Sequence, residues 1–172
     1  MNFTVTTNAD EVIKQLTARQ NAWKDKTRRF LAELAKIGIA TADVQFKKAE
    51  YDGTNDVLVE QNPVWTSPTT LKVVASGKSI TFIEFGSGVH YTEEHPKAAE
   101  LGMIRGAYGH GLGKFDSWRY KGEPGSNGEV IREGPHKGEV RTHGNPPARA
   151  MYDAGKDMRD NVAKIAKEVF RT

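Results

Sequence analysis

Apolar positions at helical spacing dominate the first fifty residues of the chain. Before them, residues 3–6 alternate apolar and polar side chains, which predicts a short edge strand. Thr7 or Asn8 is suited to be an N-cap, and the acids Asp10 and Glu11 suit the first helical turn that follows. We therefore expect a helix to begin here, with a first apolar face formed by Val12, Ile13 and Leu16.

A second apolar stripe, whose members are seven residues apart, predicts a helix over about residues 20–49 with one side buried. Such a helix would be about 45 Å long at 1.5 Å per residue. Gly38 lies inside this pattern, where glycine costs about 1 kcal/mol relative to alanine, so we expect either a bend or the close approach of another backbone. The stripe consists of Trp23, Phe30, Ile37 and Val44, with Leu34 and Thr41 between them.

Three strand-like segments follow, at residues 57–60, 69–75 and 79–85. A short link that contains a glycine joins the last two, which predicts an antiparallel hairpin. In the last strand Ile80 and Phe82 would share one face, opposite Ile83. Because both faces are partly apolar, we expect helices to cover one face and a neighbouring subunit to cover the other.

Residues 86–145, which we call the insertion, hold 13 of the 17 glycines and all five histidines. A loop of this length inside a compact domain is functional, partly disordered, or contains further elements. Short strands are expected at residues 118–120 and 129–132. Aromatic side chains argue against a plain linker, and they are Tyr91, Tyr108, Phe115, Trp118 and Tyr120.

A closing helix is predicted over about residues 147–170, opened by a proline whose fixed φ suits a first helical turn. The pattern as a whole predicts a single α+β domain spanning residues 1–172. In it, a small antiparallel sheet packs against a long N-terminal helix and a C-terminal helix, and a long glycine-rich loop at about residues 86–145 extends from this packed body. The closing helix would bury Met151, Ala154, Met158, Val162, Ile165 and Val169.

Composition narrows the functional classes. The apolar fraction is 37% and the mean hydropathy is −0.61, so part of the chain is expected to become ordered only against a partner. The absence of cysteine excludes disulfides and thiolate metal sites. No signal peptide and no apolar run of about 18 residues is present, so we expect a soluble protein that is neither exported nor in a membrane.

The histidines give a poor metal pattern in sequence. Helical zinc motifs place two histidines one turn apart, whereas His90 and His95 are five residues apart and Pro96 follows. A solvated loop is the favoured interpretation, with no bound metal or cofactor. Loss of zinc affinity in a His90→Ala variant would be the sign of a metal site.

The glycine-rich segments lack the context of catalytic or cofactor motifs. No strand feeds residues 109–113 and no helix follows them, so they do not form a dinucleotide loop. Glycines flank Ser87 directly, whereas a nucleophile elbow has them two residues away on each side. We therefore predict no catalytic residue and no enzymatic activity.

A basic run lies on the long N-terminal helix, at Lys24, Lys26, Arg28 and Arg29. These residues are mostly off the apolar stripe, so the solvated face of an amphipathic helix is the favoured interpretation. Contact with the phosphates of DNA is the alternative, and binding to duplex DNA at low ionic strength would test it.

Two segments far apart in sequence carry a resemblance. Residues 83–87 read Ile-Glu-Phe-Gly-Ser, and residues 147–150 read Pro-Ala-Arg-Ala at the start of the closing helix. With the order strand, long helix, strand hairpin, loop and closing helix, the chain resembles the phage tail-component family found at head-to-tail junctions. In that family a strand ends in Glu, an aromatic residue and Gly-Thr or Gly-Ser, and a Pro-Ala segment opens the last helix.

The resemblance implies a structural virion protein of a tailed phage, assembled in the host cytoplasm as a ring-forming tail-completion or neck subunit. Family analogy implies a hexamer whose partners are neck, connector, tail-terminator or tail-tube proteins, with DNA passing through. Glu84 is expected either to pair with an arginine such as Arg149, within one subunit or across subunits, or to be an exposed acid at a strand end. The residues expected at interfaces are Glu84, Phe85, Gly86, Tyr91, Tyr108, Phe115, Trp118, Tyr120, Pro147 and Arg149.

Two other functions remain open at this point. One is a basic protein associated with nucleic acid, which would use the residues from Lys24 to Arg29 and the aromatic side chains of the insertion. The other is a metal-dependent hydrolase with the histidines as ligands.

Overall fold

The computed structural model describes residues 8–91, 95–104 and 106–171. The strand predicted at residues 3–6 lies outside them. One continuous helix, α1 (Ala9–Lys48), takes up both apolar stretches of the N-terminal third, and its 40 residues span about 60 Å. Asn8 is its N-cap residue, and Asp10 and Glu11 lie in its first turn, as the sequence predicts.

The buried face of α1 differs from the predicted stripe. Trp23 and Val44 are exposed, although Trp23 stacks on an aromatic ring of the closing helix. A strict seven-residue repeat drifts by about 20° per heptad on a straight helix, so by Val44 the stripe has turned away from the core. Spacings of three and four residues instead keep the buried face in register, at Ala35, Gly38, Ile39, Ala42 and Phe46.

The closing helix, α3 (Ala150–Phe170), packs antiparallel to α1. Its last residue, Phe170, stacks on Trp23 with ring centroids 5.4 Å apart. Nearer its start, the side chain of Met158 covers Gly38, where a Cβ would lie 2.7 Å from the methionine sulfur. A glycine inside α1 therefore lets a side chain of α3 approach closely, whereas the sequence predicted a bend or a neighbouring backbone.

Four short strands follow α1: β1 (Leu58–Val59), β2 (Val64–Ser67), β3 (Thr70–Lys72) and β4 (Ala75–Ser76). β1 pairs with β4, and β2 forms a hairpin with β3, all antiparallel. The sequence predicted β1 and the region of β3 but missed β2. The predicted hairpin between residues 69–75 and 79–85 does not form.

The segment predicted as the last strand is a short helix, α2 (Ile80–Phe85). The carboxylate of Asp56 accepts hydrogen bonds from the backbone N–H groups of Lys78 and Ser79, at 2.8 and 2.9 Å. Asp56 thus satisfies N–H groups that have no partner inside the helix at its start. In a strand, the same groups would have needed hydrogen bonds to a neighbouring strand. The N–H of Ile83 then donates to the carbonyl of Ser79 at 3.0 Å, which completes a helical turn.

The insertion contains a three-stranded antiparallel sheet of β5 (Trp118–Tyr120), β6 (Glu129–Val130) and β7 (Val140–Thr142), with β7 in the centre. The strands expected at residues 118–120 and 129–132 correspond to β5 and β6, whereas β7 was missed. Because the insertion contains this sheet, part of it is folded. Whether any of it contacts another subunit stays a prediction.

The core lies where α1, α2 and α3 meet β1, and its buried members are Ile39, Ala42, Phe46, Val59, Ile83, Ala150 and Ala154. We call this body, residues 8–85 and 146–171, the frame. The predicted fold class is confirmed: an α+β protein with a long N-terminal helix, small antiparallel sheets and a C-terminal helix packed on the first. Within the described residues, no helix is both long and apolar enough to cross a membrane.

Candidate functional site

The two segments that carry the resemblance lie side by side in the structure. The N–H of Ser87 donates to the carbonyl of Asn145 at 2.8 Å, and the reverse bond is 3.1 Å long. Further along, the N–H of Ala148 donates to the carbonyl of Ile83 at 2.8 Å. Residues 83–87 and 145–149 thus form one antiparallel unit, which we call the junction, and it closes the base of the insertion.

Glu84 is the central side chain of the junction. One carboxylate oxygen accepts a hydrogen bond from the N–H of Met151 at 2.8 Å, and the other accepts one from the N–H of Tyr152 at 3.0 Å. These are the second and third N–H groups of α3, which have no partner inside the helix. Glu84 therefore caps α3 from another element, and a negative charge at this position is also favoured by the helix dipole.

A histidine completes the set of donors around Glu84. His95 accepts a hydrogen bond from the N–H of Lys97 at its Nδ1, so its Nε2 carries a proton and donates to Glu84, 3.1 Å away. Both side chains are buried, and the ring of His95 also contacts Phe85. The expected exposed acid at a strand end is therefore wrong, because Glu84 is a buried carboxylate with three donors.

Arg149 does not pair with Glu84 through its side chain in the described part of the chain. Its backbone N–H donates to the Glu84 carbonyl at 3.2 Å, while its Nε is buried without a hydrogen-bond partner among the described residues. Arg149 also has a φ of 57°, a left-handed conformation that costs a non-glycine residue on the order of 1–3 kcal/mol. The ion pair expected within the frame is wrong, and the pair across subunits stays a prediction.

The prolines precede α3. The helix begins at Ala150, and the buried Pro147 lies in the non-helical stretch of the junction. The interpretation of Pro147 as a first-turn residue is therefore wrong, because the N–H of the next residue, Ala148, is bonded to Ile83 across the junction.

Gly86 packs directly against the backbone of the second segment. Its φ is 78°, and a Cβ at this position would lie 2.8 Å from the carbonyl oxygen of Asn145 and 2.8 Å from the nitrogen of Pro147. Its own carbonyl accepts a hydrogen bond from the hydroxyl of Tyr108. Only glycine fits this conformation and this space without moving backbone.

A buried polar network joins the insertion to the frame. The carboxylate of Asp52 accepts hydrogen bonds from the hydroxyl of Thr142 at 2.6 Å and from the N–H of Asn127 at 3.0 Å. The N–H of Asp52 donates to the side-chain oxygen of Asn145 at 3.3 Å. Because Asp52, Thr142 and Asn145 are all buried, this network fixes the position of the insertion sheet on the frame.

The predicted aromatic interface residues divide into two groups. Tyr108, Trp118 and Tyr120 line a cavity of about 270 Å³ between the insertion and the frame, together with Tyr51 and Phe82. Burial raises the pKa of Tyr51 and Tyr120, so both phenols are neutral at physiological pH. Phe115, by contrast, is exposed, and Tyr91 is half-buried, as are the three aromatic residues that line the cavity.

Three polar side chains at the base of the insertion form a cluster that the sequence interpretation missed. The Nε2 of His90 lies 2.8 Å from a carboxylate oxygen of Asp116, and the Nδ1 of His143 lies 2.8 Å from the Asp116 carbonyl. The two imidazole rings meet edge to face at 4.9 Å. His90 and His143 come together only through the pairing of segments that are distant in sequence. The sequence therefore offered one weak sign of the cluster, which was the position of His143 directly after an alternating segment.

Comparisons with known proteins identify no relative of this chain. The chain matches no family model, no curated protein and no solved structure.

The basic run is only partly available for contact with a partner. Lys24 and Arg29 are exposed and Lys26 is half-buried, whereas the guanidinium of Arg28 lies over the ring of Trp65, 4.7 Å from its centroid. A cation in this position gains on the order of 0.5–1 kcal/mol from the aromatic face. Arg28 thus has a structural role on the β2–β3 hairpin, and DNA contact by the other three stays a prediction.

Proposed function

We propose that this chain is a structural virion protein of a tailed phage, a tail-completion or neck subunit that closes into a ring and joins the head to the tail. The role is assembly without catalysis. Its partners are further copies of the chain and the neighbouring proteins of the neck or tail, and its place is the head-to-tail junction of the virion.

The observation that carries the proposal is the junction. The two segments that resemble the phage family are about sixty residues apart in sequence, yet they pair along their backbones, and Glu84 of the first caps the helix that follows the second. Short motifs of common residues often match by chance, and chance matches have no reason to meet in space. That these two pair along their backbones supports the resemblance of the motif residues, although residues 80–85 form the helix α2 here and not the strand of the family pattern.

The N-terminal part of α1 supports assembly in particular. Because Phe170 at the end of α3 stacks on Trp23, residues 9–22 of α1 extend beyond the helix pair by about 21 Å. Every residue from 8 to 25 is exposed, including Ile13 and Leu16 at 59% and 58%. We call residues 9–22 the α1 arm.

The large apolar residues of the α1 arm lie on one side of the helix. Val12, Ile13 and Leu16 fall within about 100° of one another around the axis, since residues four apart in a helix share a face. A stripe of this kind buries against another surface in stable proteins. In the proposed ring that surface belongs to an adjacent copy of the chain, which gives the head-to-tail contacts from which closed rings form.

The insertion offers a second contact surface. It carries eight basic and eight acidic residues, so it suits polar contacts between subunits better than a uniform phosphate backbone. Exposed apolar side chains are interspersed with these charges, at Val89, Leu101, Ile104, Leu112, Phe115 and Val130.

Inactivation of the gene in the phage that encodes it tests this function. We expect filled heads and complete tails that fail to join, and we expect the wild-type chain supplied in trans to restore infectious particles. Normal particles from the inactivated phage would contradict the proposal, and so would a block at an earlier stage, such as unassembled capsids.

A further inference from the structure

Backbone pairing brings three distant positions together at the base of the insertion. Trp118 of β5 pairs with Thr142 of β7, so Asp116 and His143 lie just beyond the same end of this strand pair. The paired residues Ser87 and Asn145 bring the start of the insertion to the same place, and His90 follows three residues after Ser87. The fold, and not a local motif, therefore sets the positions of these three side chains.

We propose that His90, Asp116 and His143 bind one divalent transition-metal ion. One potential ligand atom from each residue lies within 4.8 Å of the other two. A tetrahedral ion with bonds of about 2.1 Å holds its ligands about 3.4 Å apart, so small rotations of three partly exposed side chains bring them to binding distance. This inference is independent of the proposed function.

The donor set selects the class of ion. Two imidazole nitrogens and one carboxylate suit Zn²⁺ and neighbouring first-row metals, whereas Mg²⁺ and Ca²⁺ prefer sites made of oxygen alone. In the structure the nitrogens of both histidines lie at hydrogen-bond distance from oxygens of Asp116, at 2.8 to 2.9 Å. An ion would replace these hydrogen bonds with bonds to the same nitrogens, so binding requires both imidazoles to be neutral.

A bound ion would join three segments of the chain. These are the start of the insertion, the turn before β5 and the end of β7, which are separated by 26 and 27 residues. Three protein ligands leave at least one coordination position open, to be filled by water or by a donor from another molecule. The ion would therefore hold the base of the insertion closed and still present one reactive position to the surface.

The test uses the full chain, stripped of metal with a chelator and titrated with zinc chloride in a calorimeter. We expect one zinc ion per chain, and His90→Ala, His143→Ala and Asp116→Ala should each weaken binding by at least about 100-fold, since loss of an outer partner alone costs 10- to 100-fold. His110→Ala is the matched control, because this exposed histidine of the insertion lies outside the cluster. It should bind zinc as the wild type does.

Thermal unfolding gives a second readout. Saturating zinc should raise the Tm of the wild type and of His110→Ala by several degrees, and it should leave the Tm of the double variant His90→Ala/His143→Ala unchanged. The metal-free variants must match the wild type in circular dichroism, which shows that they fold. The proposal is overturned by absence of zinc binding at 50 µM protein, by equal binding in the His90 and His110 variants, or by displacement of zinc by equimolar Ca²⁺.

Discussion

The carboxylate of Glu84 caps the N-terminus of α3 by accepting the N–H of Met151 at 2.8 Å, although 67 residues separate the two in sequence. Helix caps are usually supplied by the residue that precedes the helix. Here that residue is Arg149, whose side chain makes no cap hydrogen bond. A side chain of another helix thus caps α3 in place of the preceding residue, so the start of α3 depends on the position of α2.

Replacing Glu84 should therefore destabilise the whole protein. Glu84→Ala leaves the N–H groups of Met151 and Tyr152 and the Nε2 of His95 without their acceptor, and we expect a loss of about 3 kcal/mol or more in the free energy of unfolding. Glu84→Gln keeps one acceptor oxygen and should lose less. Urea unfolding measures both, with the exposed Glu168→Ala of α3 as control. Equal stability of the Glu84 and Glu168 variants would contradict the capping role.

Gly86→Ala should be more damaging than an alanine at another glycine with a positive φ. Gly111 has φ +71° and nothing within 4 Å of an added Cβ, so Gly111→Ala costs only the left-handed strain of about 1–2 kcal/mol. At Gly86 the added Cβ also meets the backbone of Asn145 and Pro147 at 2.8 Å. We expect an additional cost of at least about 2 kcal/mol in the free energy of unfolding. Indistinguishable urea midpoints for the two variants would contradict the close backbone packing at Gly86.

The carboxyl group of Asp56 makes the stability of the folded protein depend on pH. The N–H groups of Lys78 and Ser79 hold the pKa of the Asp56 carboxyl below its usual range. A carboxyl whose pKa is lower in the folded state adds stability above its unfolded pKa, about 3.9, and loses that contribution as the pH falls through the folded value. We expect wild type to exceed Asp56→Asn in Tm at pH 7, and the difference to shrink below about pH 4. A difference that stays constant from pH 7 to pH 2.5 would exclude this carboxyl as the source.

The α1 arm should govern self-association. A charge at Leu16 disrupts the exposed apolar stripe without touching the core, so Leu16→Asp should reduce association by at least tenfold at unchanged Tm. Ala18→Asp is the control, because it places the same charge on the opposite side of the arm. Mass photometry over a concentration series, alone and with purified tails, measures the effect. Equal assembly by both variants would show that the α1 arm is not part of the interface.

The sequence predicted those parts of the fold that repeat over long stretches. α1 and α3 span many turns, so their periodicity was readable, and α3 lies close to its predicted bounds. α1 ends where predicted but begins at Ala9, because the helix start predicted after Asn8 and the helix predicted over residues 20–49 are one continuous helix. The strand predicted at residues 79–85 was wrong, because the periodicity of seven residues is too short to distinguish a strand from a helix. The hydrogen bonds from Lys78 and Ser79 to Asp56, more than twenty positions away, decide the outcome.

The candidate site was predicted only in part, for a related reason. Residues 83–87 and 147–150 stood out in sequence, but nothing local indicated that Glu84 would bond to the N–H groups of a distant helix. Nothing local indicated that His90 and His143 would meet either, because they are far apart in sequence. Contacts of this kind are set by the register of β5 on β7 and by the pairing of Ser87 with Asn145, which single-sequence patterns do not encode.

The most direct measurement is the location of the chain in the intact virion, by electron microscopy of particles labelled with a gold-conjugated antibody against it. We expect label at the joint between head and tail and nowhere else on the particle. Label spread over the capsid or along the tail tube, or purified infectious particles that lack the chain altogether, would contradict the proposed function.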